Sequence, residues 1–331
     1  MSKTSKILIV FLISFAGFWG ANVLYDNLEN IYYLNEITKN PQLFLAQINI
    51  SPEIKQKREL QKECFLVNNL EIKANSAISF LIPEKGESKI IFQKNISEKR
   101  PIASLTKRMT ALVAKEIYRP EQILAISEEA VSQEEETGNL KTGESLSLKE
   151  LLHSLLIESS NDAAWAIAEG KLEGAENFIG IRGFVELMNL EAKNLNMKDT
   201  GFINPTGLDG NEEKNNYSTA RDMVNLVDYI IKNHPDILEI TQKKSYEVLN
   251  PDGSLHHFIP ENTNKLLGEN GLVVVGGKTG FTEEAGGCMI LVLKKGENDY
   301  LVNIIFGSES HETRFEEMKK IIEAVNEQTC L

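Results

Sequence analysis

The stretch GLVVVGGKTGFTEEAGGCMILVLKKGENDYLVNIIFGS runs from Gly271 to Ser308. It holds three apolar runs of strand length, GLVVVGG, GCMILVLKK and YLVNIIFGS, the last two joined by the turn-forming GEND. Upstream, SAISFLI and SKIIFQK flank PEKGE and predict a β-hairpin with Gly86 in its turn. Between these two groups of strands lie helical patterns: SLKELLHSLLI, DAAWAIAEGKL, GFVELMNLEAKNL and STARDMVNLVDYIIKN, the last opening on Ser218 as its cap. The segment TGFINPTGLDGNEEKNN, rich in Gly, Pro and Asn, reads as loop, and ETRFEEMKKIIEAVNEQ predicts a closing helix. The strands lie too far apart in sequence for βαβ units. The expected architecture is α+β: an antiparallel β-sheet packed with helices, plus an inserted all-helical region, with the sheet closed by its two sequence ends.

The chain of 331 residues, 42% hydrophobic and 25% charged, has the composition of a globular protein. A net charge of −13 with no basic stripe argues against nucleic acid or an anionic membrane surface as an electrostatic partner. Lys3 and Lys6 precede Ile7–Tyr25, an uncharged run close to the ~20 residues that span a bilayer. The expectation is a cytoplasmic segment 1–6, a transmembrane anchor 7–25, a membrane-proximal spacer 26–70 and an extracytoplasmic domain 71–331. A cleaved signal peptide and secretion is the rival, weakened because Phe18 and Trp19 spoil the small-x-small cleavage positions. Of the three cysteines, Cys288 falls in an apolar strand and reads as a buried, reduced thiol. Cys64 and Cys330 bracket the domain, and bringing its ends together predicts a disulfide between them. His256 and His257 have no partner at metal-ligand spacing, so neither metal nor cofactor is expected.

Three short motifs carry chemistry. PIASLTKRMTAL, Pro101–Leu112, sets Leu105, Met109 and Leu112 on one helix face and places Ser104 one turn from Lys107. Serine is a weak nucleophile until a base takes its proton, and a lysine serves once its ammonium is desolvated or crowded by positive charge. LLIESSNDAAWAIAE puts Ser159 and Asn161 in a polar turn between helices; Ser160 or Asn161 as an ordinary helix cap is the plain alternative. Lys-Thr-Gly occurs twice, at 141–143 in an acidic loop and at 278–280 between two apolar runs. A substrate groove needs a rigid wall, so the second copy, Lys278, Thr279 and Gly280, is read as functional and the first as loop.

Taken together with NMKDTGFINPTGLDG, STARDM, NTNKLL and FGSESHETRF, these motifs make residues 72–328 resemble the serine-type D-alanyl-D-alanine carboxypeptidases. Those are the low-molecular-mass penicillin-binding proteins of the β-lactamase/transpeptidase-like fold. The resemblance implies Ser104 as the acylated nucleophile, Lys107 as its base, Ser159 as a proton relay and Asn161 as the residue that orients Lys107. It further implies that Lys278, Thr279 and Arg314 bind the terminal carboxylate, and that the N–H groups of Ser104 and Phe281 form an oxyanion hole. The implied substrate is the peptidoglycan stem pentapeptide, with β-lactams as covalent inhibitors. The same chemistry serves an endopeptidase of cross-links, and a silent penicillin-binding scaffold is a further alternative. A β-lactamase is disfavoured, because GFINPTGLDG stands where a Glu-x-x-Leu-Asn loop would be needed. The N-terminal anchor is expected to replace the C-terminal β-rich domain and amphipathic helix of many relatives. Arg108 departs from the pattern, which has an apolar residue there. It either pairs with Glu158 or Asp162, or helps to depress the pKa of Lys107.

Overall fold

The computed structural model describes residues 70–327, apart from 135–137, 172–179, 211–214 and 270. The expected anchor, the spacer up to residue 69, Cys64 and Cys330 lie outside the described residues. No helix among the described residues is long and apolar enough to cross a membrane.

Five strands form the main sheet: β1 (Ser76–Ile82), β2 (Lys89–Lys94), β5 (Val274–Thr282), β6 (Gly286–Lys295) and β7 (Asp299–Ser308), with β3 (Tyr246–Leu249) and β4 (Leu255–Ile259) forming a separate hairpin. The sheet order is β2-β1-β7-β6-β5, antiparallel throughout. The first hairpin thus pairs with the last strand, Ile78 opposite Ile304 and Phe80 opposite Val302, closing the domain end to end. The sequence runs look continuously apolar because both faces of the sheet are covered. Ile290, Val292, Val302, Ile304 and Phe306 join the core shared with the inserted helices. Their strand neighbours Met289, Leu291, Leu301 and Ile305 point the other way, onto Met318, Ile321 and Ile322. Those last three belong to the closing helix α7 (Thr313–Glu327). Each such fully buried aliphatic side chain contributes ~1.5–3 kcal/mol, so the alternation of these strands fixes the sandwich.

The inserted region comprises α1 (Lys107–Ile117), α2 (Leu148–His153), α3 (Asn161–Ala168), α4 (Gly180–Asn194), α5 (Ala220–Asn233) and α6 (Pro235–Thr241). Leu105, Met109 and Leu112 are fully buried, as their spacing predicts. One cap is corrected: Thr219, not Ser218, accepts the Asp222 N–H at the start of α5, because Ser218 is already paired in a short strand opposite Arg100. Cys288 is a buried free thiol, pushed up to about 11 by burial.

Candidate active site

Ser104 sits in a 3₁₀ turn, Ala103–Thr106, that runs directly into α1. The chain reaches it through Ala103 at φ 46°, a left-handed conformation that costs an L-residue ~1–2 kcal/mol. Buried Ile102 and Leu105 on either side hold that turn against the core. One turn on, Lys107 is wholly buried, and its Nζ meets Ser104 Oγ at 2.8 Å, Asn161 Oδ1 at 2.7 Å and the Thr206 carbonyl at 2.7 Å. The Asn161 amide is fixed in that orientation by its own Nδ2, which donates to the Glu134 carbonyl at 3.0 Å.

Ser159 and Asn161 reach the site because α2 ends in a π turn, Ser154–Glu158, followed by Ser159 at φ 71°. That left-handed residue reverses the chain so that Ser160 can cap α3, its Oγ accepting the Ala163 N–H at 3.0 Å. The capping role and the site role therefore coexist in one turn, on adjacent residues. The Ser159 hydroxyl accepts from Lys278 Nζ at 2.7 Å.

Lys278, Thr279, Gly280 and Phe281 all lie on β5, the edge strand of the sheet. Lys278 Nζ also donates to the Thr279 carbonyl at 2.7 Å. Burial holds its ammonium well below the usual lysine range, with the charges of Lys107, Arg314 and Arg108 pushing the same way. The Thr279 hydroxyl points instead to the Thr263 hydroxyl, 2.8 Å away. Arg314, near the start of α7, donates from Nη1 to the Gly280 carbonyl at 2.7 Å, and burial lowers its pKa too. Phe281 stacks on His311 with ring centroids 3.9 Å apart.

These groups surround one cleft, lined by Ser104, Ser159 and Asn161 together with Thr279, Gly280, Phe281 and Arg314. Glu158, Thr263 and His311 complete the lining. Every site residue expected from the sequence is thus brought to the cleft or directly beneath it. Sequence reasoning missed the Thr206 carbonyl, Thr263 and His311, and named Glu158 only as a partner for Arg108. The NPTGLDG loop quoted above contains Thr206, but a backbone acceptor leaves no side-chain signature. The expected pairing of Arg108 with Glu158 or Asp162 is corrected: none of its three guanidinium nitrogens has a hydrogen-bond partner among the described residues. Away from the cleft, His256 and His257 meet through their Nδ1 atoms at 2.6 Å. His256 Nε2 lies 2.9 Å from Glu144, and His257 Nε2 lies 3.4 Å from Glu158.

A sheet with helices on both faces, and a serine, two buried lysines and an arginine converging on its edge strand, are the marks of the penicillin-binding protein fold. Penicillin-Binding Protein D2 from Listeria monocytogenes, in its ampicillin-bound form, is similar to this chain with a TM-score of 0.62 and 31% identity, over 78% of this chain and 99% of that one. In sequence, the chain is 33% identical to D-alanyl-D-alanine carboxypeptidase DacF of Bacillus subtilis, over 76% of this chain and 62% of that protein. It is 32% identical to a D-alanyl-D-alanine endopeptidase of Pseudomonas aeruginosa, over 70% of this chain and 73% of that protein. Residues 63–310 match the model of the peptidase S11 family, D-alanyl-D-alanine carboxypeptidase, and the chain belongs to that family. It spans less than two thirds of the length of DacF.

Proposed function

We propose that this protein is a serine D,D-carboxypeptidase that removes the terminal D-alanine from peptidoglycan stem pentapeptides through an acyl-enzyme on Ser104. The observation that carries the reading is the coordination of Lys107 Nζ. A neutral amine has two N–H donors and one lone pair. The Asn161 and Thr206 oxygens take the two donors, which leaves the lone pair for the Ser104 hydroxyl.

In this reading Lys107 takes the Ser104 proton as Oγ attacks the carbonyl of the penultimate D-alanine. The N–H groups of Ser104 and Phe281 receive the developing oxyanion, an interaction worth ~3 kcal/mol per donor. The C–N bond then breaks, and the leaving amine takes a proton relayed through Ser159, whose hydroxyl is held by Lys278. Water enters by the reverse path and frees Ser104. Thr279 and Arg314, with the Lys278 charge behind them, bind the terminal carboxylate. Its recognition explains why β-lactams, which carry a carboxylate in the same place, would acylate the same serine. Residues 71–331 form the catalytic domain, carried outside the cytoplasmic membrane by the apolar segment 7–25.

The resemblance to the Pseudomonas endopeptidase supports a second reading, cleavage of D-alanine cross-links by the same residues. The purified full chain, incubated with pentapeptide-bearing and cross-linked wall fragments, separates the two. Mass spectrometry showing loss of one alanine gives a carboxypeptidase; resolution of cross-linked dimers without that loss gives an endopeptidase. Neither product would leave a silent scaffold.

A further inference from the structure

Arg108 is a buried charged side chain beside the cleft machinery for which the chemistry above has no use. It follows Lys107 in α1, is 0% exposed, and keeps its charge at neutral pH because burial lowers it only to about 10. Its Nε, Nη1 and Nη2 have no hydrogen-bond partner among the described residues. An unpaired buried guanidinium destabilises a core, whereas an unbranched apolar side chain of similar length would fill the same space at no such cost.

The surrounding charges decide what that cation can act upon. The elements in most extensive contact with α1 are the 3₁₀ turn, the π turn, α3 and α4; α5 and α6 meet its far end, where Tyr229 and His234 face Glu116 and Asp236 pairs with Lys115. The π turn brings Glu158, α3 brings Asp162, and Glu169 follows at its C-terminal end; none of them pairs with Arg108. The described charged residues of α4, Arg182, Glu186, Glu191 and Lys193, do not reach it either. On the sheet side stand two further basic groups, Lys278 and Arg314. The positive field of Arg108 is felt at Lys278, and Lys107 is its neighbour in the chain.

We propose that Arg108 is a positioning residue that acts through charge: a fixed, uncompensated cation in the core that keeps the Lys107–Lys278 pair one proton short, so that Lys107 offers Ser104 a lone pair. The inference rests on Lys107 as the base. Two coupled lysines titrate as a unit, and a third cation held permanently beside them favours the singly protonated state without touching the substrate.

The test compares Arg108→Met, which keeps length and loses charge, with Arg108→Lys, which keeps charge. The rate of Ser104 acylation by a labelled penicillin is measured across pH with the full chain. Its rising limb should move up by about one pH unit in the Met variant, a roughly tenfold lower rate on that limb, with the plateau retained. The Lys variant should keep the wild-type limb. NMR titration of the lysine side chains, with the Lys107 and Lys278 signals assigned by mutation, should show the same upward move in the Met variant with no acylation required. A wild-type protein that takes up no penicillin would sink the base assignment, while the NMR comparison would still decide the role of Arg108. Limb and lysine titration both unchanged in Arg108→Met would overturn the proposal and leave Arg108 a packing residue. Should Arg108→Met fail to fold, Arg108→Gln supplies the same neutral comparison.

Discussion

Lys-Thr-Gly occurs at 141–143 and at 278–280, and the two copies have nothing else in common. The first lies in an exposed turn: Lys141, Thr142 and Gly143 all face solvent, and a Cβ on Gly143 would meet nothing. Gly143 is there for its backbone, at φ +86°. In the second copy Lys278 and Thr279 are 1% and 3% exposed, and the glycine is there for its missing side chain. A Cβ on Gly280 would stand 2.8 Å from the Ser104 backbone nitrogen and 3.0 Å from Ala103 Cβ. The tripeptide is therefore not the signal. The signal is the apolar, β-branched run on either side, which makes a rigid buried strand and brings the tripeptide against Ser104.

The largest separation is expected at the glycines. Gly280→Ala pushes on the Ser104 amide, and should lower the acylation rate by about 10²–10³-fold, the scale of losing one oxyanion donor. Gly143→Ala should leave that rate unchanged and cost ~1 kcal/mol of stability from its left-handed backbone. Stopped-flow acylation and thermal unfolding of the two variants measure both numbers. Equal rate losses would break the comparison.

The same contrast explains what was legible in advance. The strands at both ends, and hence the closed sheet, were readable because periodicity and β-branching act locally. Ser104 and Lys107 were readable because helix geometry fixes their approach. Ser159 was readable as a residue but not as a left-handed turn, since that conformation is imposed by the π turn before it and the cap after it. The Thr206 carbonyl was invisible because backbone chemistry is the same at every position. The isolation of Arg108 was invisible because the lack of a partner is a property of three dimensions.

Next in size comes the threonine pair. Thr279→Ala should reduce carboxypeptidase turnover by about tenfold, the equivalent of one lost hydrogen bond to a carboxylate, whereas Thr142→Ala should be silent. Steady-state product analysis on pentapeptide reads both, and a silent Thr279→Ala would remove the second copy from substrate recognition.

The smallest effect belongs to Glu144, beside the first copy. Burial raises its pKa, but the His256 hydrogen bond and the Lys141 amide outweigh this and hold it below the usual carboxylate range. A depressed folded pKa contributes stability that is present above the unfolded carboxylate pKa and is lost as pH falls through the folded one. Glu144→Gln should therefore flatten acid unfolding between about pH 5 and 3, by no more than about a few tenths of a kcal/mol. Its acylation rate should equal that of the wild type. An acid-unfolding curve identical to that of the wild type would show that the contact has no net effect.

The central claim is that Lys107 holds a lone pair for the Ser104 hydroxyl. Labelled penicillin followed by peptide mapping tests it most directly. The account predicts one modified peptide, with the label on Ser104 and persisting for minutes, and none in Ser104→Ala. In folded Lys107→Ala the labelling rate should fall by about 10²–10⁴-fold, the range of a general-base contribution. Folded wild-type protein that takes up no label, or a Lys107→Ala variant acylated as fast as the wild type, would contradict it.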